Sequence, residues 1–219
     1  MSEALPQKRL RIKFTKENAL RYIGHLDLHH IWQRSIRRAG LPLIYSQGFH
    51  PQPKIQIASA LPLGFSSKSE VVDIWISPEA EYSLEELQKN LPEGVKISSI
   101  EEVDLHAPAL QTQGDYAEYL VTLLDETPAD ELDLKLASLM DAESLMREKK
   151  KKKRGKVRTF DLRTLILELR RLPSEGENER IYMRFVAREG ATGRPDMILK
   201  EMEVPIETTR IERTALVFK

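Results

Sequence analysis

The hydrophobic period changes twice within the first sixty residues, and no other feature constrains the fold as much. Leu10, Ile12 and Phe14 alternate with Arg9, Arg11 and Lys13, the period of a half-buried strand, here with a basic outer side. After a connector at Asn18–Ile23, Leu28, Ile31, Trp32, Ser35, Ile36 and Ala39 recur at helical spacing. A helix is therefore expected over about Leu26–Ala39, with Asp27 in its first turn and Gly40 and Pro42 ending it. Beyond a loop at Ser46–Pro53, strands are expected at Ile55–Leu61 and Val71–Ile76. Ser83 followed by Glu86 has the capping-box pattern of a second helix through Leu84, Leu87 and Leu91, stopped by Pro92 and Gly94. Val95–Val103 reads as a further strand.

The resulting order, β-α-β-β-α-β, is that of a ferredoxin-like unit. The second half reads the same way. Strands are expected at Tyr116–Leu124, Thr164–Leu172, Ile181–Ala187 and Ile211–Phe218, and helices at Ala129–Met140 and Pro195–Met202, with a charged insertion before the second strand. No internal sequence repeat accompanies this order. The expectation is an α+β protein of two tandem ferredoxin-like (βαββαβ) units packed together. The units are drawn at residues 1–106 and 107–219, with a lysine-rich loop at about 147–158.

Composition matters mainly through what it excludes and where charge lies. The 219 residues include no cysteine, so disulfides, thiolate metal sites, iron–sulfur clusters and a cysteine nucleophile are excluded for this chain. No apolar run approaches the roughly 20 residues of a membrane span and the first residues lack a signal-peptide core, so a cytoplasmic address is expected. The formal net charge is zero, yet charge is segregated. Residues 1–64 carry 10 Lys/Arg against 3 Asp/Glu, residues 65–146 carry 4 against 19, and residues 147–172 carry 12 against 3. Such asymmetry fits a polyanion-binding face, two halves that attract one another, or ordinary solvated faces.

Three constellations carry candidate chemistry. The first is Tyr45, Phe49, His50 and Lys54 in the loop YSQGFHPQPK. It offers aromatic rings for stacking unpaired bases. It also offers a base, an acid and a cation for metal-independent RNA cleavage; the plain alternative is a packed loop with Phe49 in the core. The second is His25 and His29, an i,i+4 pair, with Asp27, His30 and His50 nearby in sequence. This is a candidate metal pair, without the glutamate of a zincin motif. The third is the run Lys149, Lys150, Lys151, Lys152, Lys153 and Arg154 within REKKKKKRGKVR, a repelling run expected in a mobile loop or exposed hairpin and able to contact phosphates without sequence preference. Arg34, Arg37 and Arg38 on the first helix add to that inventory. No phosphate loop, dinucleotide fingerprint or G-x-S-x-G motif is present.

The segments RYIGHLDL, RAGLPLIYSQGFHPQPKI, ALPLG and KKRGKVRTFDLR resemble the uncharacterised radical SAM-linked protein family, whose members occur beside or fused to radical S-adenosylmethionine proteins. The resemblance covers nearly the whole chain and implies an accessory role, with no accepted catalytic residues to transfer. The missing cysteines agree, since a radical S-adenosylmethionine cluster needs three of them and would have to sit on a partner. At the level of fold the chain also resembles the CRISPR repeat-processing endoribonucleases, but Arg188–Arg194 (REGATGR) has only two glycines where those have a glycine-rich loop. The leading expectation is thus a non-catalytic RNA- or nucleoprotein-binding accessory module acting with a radical S-adenosylmethionine partner and needing no cofactor of its own. A metal-independent endoribonuclease using His50 with Tyr45 and Lys54, and a protein–protein adaptor that binds no nucleic acid, are the alternatives.

Overall fold

The computed structural model describes residues 6–150 and 157–219, and for 149, 150, 157 and 158 the backbone alone. The chain forms two compact units, Met1–Gly114 and Asp115–Lys219, each combining strands with helices.

The first unit runs β1 (Lys8–Lys16), α1 (His25–Arg38), β2 (Ile55–Ile57), β3 (Ser66–Ile76), α2 (Leu84–Lys89) and β4 (Val95–Val103). β3 pairs with β1 and β2, and β1 pairs with β3 and β4, all antiparallel. The strand order within this unit is therefore β4-β1-β3-β2. Leu10, Ile12 and Phe14 of β1 pack with Leu28, Trp32 and Ile36 of α1 in one apolar cluster. Trp32 is fully buried, and its ring meets Phe14 edge-on at 4.8 Å and 71°; truncating such a residue costs about 3–5 kcal/mol. The Asp27 carboxylate accepts a hydrogen bond from Gly24 N at 3.2 Å and so closes the first turn of α1. Ser83 Oγ accepts from Glu86 N at 3.3 Å at the start of α2. At Gly94, φ +92°, the carbonyl accepts from Glu17 N at 2.8 Å, and a Cβ there would meet Glu17 O at 2.6 Å.

Three expectations change in this unit. The strand expected over Ile55–Leu61 is only three residues long, whereas β3 begins five residues earlier than Val71. The basic outer side expected for β1 shrinks to Lys13, which is exposed. Arg9 is buried, Arg11 is mostly buried, and both guanidinium groups close on Asp73 of β3, itself fully buried. Arg9 Nε and Nη2 donate to Asp73 Oδ2 at 2.9 and 2.5 Å, and Arg11 Nε and Nη2 donate to its two oxygens at 2.9 and 3.0 Å. The hydrogen bond to Asp73 raises the Arg11 pKa above its ordinary value against the opposing effect of burial. The Arg9 guanidinium also stacks 4.9 Å from the Trp75 ring. Residues 107–114, drawn with the second unit from sequence, belong with the first. Arg9 donates to the carbonyls of Ala107 and Pro108 at 2.8 and 3.1 Å, and Gln56 Oε1 accepts from Leu110 N at 2.8 Å.

The second unit runs β5 (Gly114–Leu123), α3 (Ala129–Asp141), β6 (Met146–Lys150), β7 (Val157–Asp161), β8 (Ile166–Glu175), β9 (Asn178–Arg188), β10 (Ala191–Thr192), α4 (Pro195–Glu201) and β11 (Thr209–Phe218). β9 pairs antiparallel with β5 on one edge and with β8 and the short β10 on the other, and β5 also pairs with β11. The main strands therefore lie in the order β11-β5-β9-β8, the counterpart of the order in the first unit. Val121, Ile181, Met183, Phe185, Leu132 and Ile198 are fully buried. The charged insertion forms a separate antiparallel hairpin, β6 with β7. Its base is fixed by Leu162 N donating to Leu145 O at 2.9 Å. Asp161 Oδ1 there accepts from Leu145 N and Arg163 N at 2.8 and 2.9 Å. Arg147 pairs with Glu201 of α4.

Candidate nucleic-acid interface

The segment between α1 and β2 is a hairpin of its own. Ile44 N donates to Trp75 O at 2.8 Å, and Trp75 N donates to Lys54 O at 3.1 Å, so both ends of the segment are held on β3. Lys54 N donates to Ile44 O at 2.8 Å, and Ser46 N to Gln52 O at 2.8 Å. Gln52 N returns a bond to Ser46 Oγ at 3.0 Å, and Tyr45 faces Pro53 across the hairpin. This pairing leaves Gln47–Pro51 as an exposed tip. The turn there runs through Gly48 at φ +135°, a conformation that side chains other than glycine's rarely adopt. Phe49 follows it and is 102% exposed. An aromatic ring that would bury some 150–250 Å² in a core is therefore presented entirely to solvent. The plain alternative, Phe49 in the core, does not hold.

The other residues of the constellation are placed differently. The Tyr45 hydroxyl accepts from Arg37 Nη2 and Nε at 2.5 and 3.2 Å, tying the hairpin to α1. Lys54 Nζ donates to Gln7 Oε1 at 3.0 Å. His50 is exposed beside Phe49. Among the described residues no hydrogen bond links His50 to Tyr45 or Lys54, whose functional atoms engage different partners. Of the three helix arginines, Arg37 is spent on Tyr45. Arg38 Nη2 bonds to Asn90 O at 2.8 Å and Ser35 Oγ at 3.2 Å, which makes it a tie between α1 and the end of α2. Arg34 is exposed on the same helix face and, among the described residues, has no ion pair or hydrogen bond.

The histidines do not gather. His25 and His30 are exposed, and His29 is half-buried. Burial pushes the His29 imidazole below its ordinary pKa, against a hydrogen bond with the Ile55 backbone; His30 and His25 add smaller shifts in the same direction as burial. The His29 and His30 rings lie 6.3 Å apart at 80°. Among the described residues no three or more His, Cys, Asp or Glu side chains come together as metal ligands. In the basic run, Lys151, Lys152, Lys153 and Arg154 lie outside the described residues, as do the side chains of Lys149 and Lys150. No described helix is long and apolar enough to cross a membrane.

Sequence reading missed the Arg9–Asp73–Arg11 group. Its signal is present in VVDIWI, where one carboxylate interrupts an otherwise apolar strand. It also had no means of telling that Arg37 and Arg38 hold the scaffold together, since their partners Tyr45 and Asn90 are supplied by the fold.

Fold and site together define an α+β protein that holds an unpacked aromatic ring on a backbone-paired hairpin beside an arginine-bearing helix. The chain belongs to a family described as uncharacterized proteins conserved in bacteria (DUF2344), whose model matches residues 9–195. None of the curated proteins matches it. Among solved structures, the chain is similar to one in a Cbf5–Nop10–Gar1 complex, at 12% identity over 94% of this chain and 48% of that one, with a TM-score of 0.50. It is also similar to a chain of the archaeal box H/ACA sRNP Nop10–Cbf5 complex, at 12% identity over 93% and 46%, with a TM-score of 0.42. A putative glycine cleavage system transcriptional repressor aligns over 97% of this chain and 99% of that one, at 12% identity and a TM-score of 0.27. The chain spans about half the length of the first two, and at 12% identity the likeness to the first is one of fold alone.

Proposed function

We propose that the protein is a non-catalytic accessory module that binds RNA, or a nucleoprotein containing it, through the hairpin at residues 44–54. The observation that carries this reading is Phe49, held at the tip of a hydrogen-bonded hairpin with its whole ring exposed. RNA-binding modules use such rings to stack unpaired bases. Arg34 on the adjoining helix and the run Lys149–Arg154 are the phosphate-contacting groups of this reading, with Arg37 and Tyr45 positioning the hairpin. In fold, the shared strand order of the two units supports reading each as ferredoxin-like, a tandem pair.

The partner in this proposal is a radical S-adenosylmethionine protein. That part rests on the sequence resemblance and on the absence of cysteine, which sends any cluster chemistry to another chain.

The test is capture of a mixed cellular RNA pool, titrated in salt. Binding should weaken as salt rises. Replacing Lys149, Lys150, Lys151, Lys152 and Lys153 by Gln should weaken it further and reduce the slope of log affinity against log salt by up to about 3.5 on single strands. An RNA pool that fails to bind even at low salt contradicts the proposal. Recovery of a radical S-adenosylmethionine protein by the immobilised chain after nuclease treatment supports the partner, and its absence removes that part alone.

A further inference from the structure

The second unit carries a face that the hairpin site does not use. Arg171 of β8 reaches Asp133 of α3 at 2.9 Å, so the helices cover the side of the sheet on which Arg171 and buried Leu169 lie. Arg170, one residue away, faces outward. Its strand neighbours do the same. Arg170 pairs in register with Tyr182, Glu168 with Arg184, and Arg184 with Glu118. The Arg170 guanidinium lies over the Tyr182 ring at 4.5 Å and that of Arg184 over the Tyr116 ring at 5.5 Å. Glu168 holds both arginines, at 2.9 Å from Arg170 Nε and 3.2 Å from Arg184 Nη2.

These partners fix two guanidinium planes against two phenol rings, with all four residues at most partly buried or exposed. Planar cations on aromatic rings are the surfaces on which bases stack. Charge points the same way. The outward positions of β5, β8 and β9 include Arg170, Arg180, Arg184 and Arg188 against Glu118, Glu168 and, at the strand end, Glu175. Arg180 and Arg188 have further partners at the strand ends, Glu175 at 3.3 Å and Asp115 at 2.6 Å. Exposed pairs of this kind are weak enough to exchange for phosphate. Arg180, Arg184 and Arg188 are spaced roughly 13 Å apart along one strand.

We propose that this outward sheet face, built on Tyr116, Tyr182, Arg170 and Arg184, is a stacking platform for the unpaired bases of single-stranded RNA. It is a second RNA contact in addition to the Phe49 hairpin, and it rests on the same RNA-binding reading.

The test uses the full chain with a fluorescent twelve-nucleotide oligouridylate and an RNA duplex of equal length. Tyr116→Leu with Tyr182→Leu should lower affinity for the single strand roughly tenfold or more and leave the duplex unaffected. Tyr116→Phe with Tyr182→Phe keeps the rings and should bind the single strand as the wild type does, which separates stacking from a folding defect. Photocrosslinking of a 4-thiouridine oligomer should label β5, β8 or β9. A leucine double variant that matches the wild type while Phe49→Ala loses binding overturns the platform and leaves the hairpin reading standing. No RNA binding by any form overturns both and leaves the face to a protein ligand.

Discussion

Exchanging Asp73 for Asn tests the least expected feature of the first unit. Four guanidinium nitrogen contacts, at 2.5–3.0 Å, converge on one carboxylate. The side-chain exposures of Arg9, Arg11 and Asp73 are 2%, 15% and 0%. Asn keeps the shape but removes the carboxylate that both largely desolvated cations contact, and it turns an N–H group towards one of them. Breaking a buried pair in this way costs about 3–5 kcal/mol. For a chain of this length 1 kcal/mol corresponds to about 2–4 °C in Tm, so the loss should be about 6–20 °C. Thermal unfolding followed by circular dichroism, with urea unfolding as a second measure, reads this directly. The apolar replacement Arg9→Met, Arg11→Leu and Asp73→Leu should be far less damaging than Asp73→Asn, apart from the Ala107 and Pro108 carbonyls that lose Arg9 as donor. An Asp73→Asn variant within about 1 kcal/mol of the wild type would refute the reasoning, because the carboxylate would then not be balancing the two cations.

Further outcomes follow from single residues. Gly94→Ala should cost on the order of 1–3 kcal/mol, since the position needs positive φ and the new methyl would press on Glu17 O; a Tm within a degree of the wild type contradicts this. His29 should titrate below the usual histidine value of about 6.5 in an NMR titration, because burial disfavours its charged form. The unfolded chain then takes up the proton first, so this contribution to stability is present above pH of about 6.5 and falls as the solution becomes acidic; a midpoint at or above that value contradicts it. Tyr182 is pushed up to about 12, by burial first and by its hydrogen bond to Glu118 second. Its contribution is full below about pH 10 and lost as pH rises through 12, so Tyr182→Phe should remove a tyrosine transition near pH 12 at 295 nm, and an unchanged titration curve would contradict the assignment.

Much of the architecture was legible because hydrophobic period is local. Val95–Val103 matches β4 residue for residue, and His25–Arg38 differs from the expected helix by one residue at each end. The β-α-β-β-α-β order of both halves survives, with the insertion resolved as a hairpin. The misses have a common cause in partners far away in sequence. Ser66–Glu70 has no apolar alternation, yet Ser67 and Glu70 are buried within β3. The Ile55 strand is short because the preceding hairpin already occupies part of β3 through Ile44 and Lys54. Arg9 and Arg11 looked outward because Asp73 stands more than sixty positions away. At the candidate site, the residues that were grouped by type, Tyr45, Phe49, His50 and Lys54, share one hairpin. Only the fold distinguishes Phe49, which is free to meet a ligand, from Tyr45 and Lys54, whose polar atoms are engaged.

The most direct measurement is the affinity of the wild-type chain and of Phe49→Ala for a single-stranded RNA across a salt series. Phe49 packs against nothing that would lose stability, so the variant should fold as the wild type does. Loss of one stacked base should lower affinity roughly five- to a hundredfold at every salt concentration while leaving the salt slope unchanged. Equal affinity of the two forms, or no RNA binding by either at low salt, would contradict the account of the hairpin as an RNA-binding element.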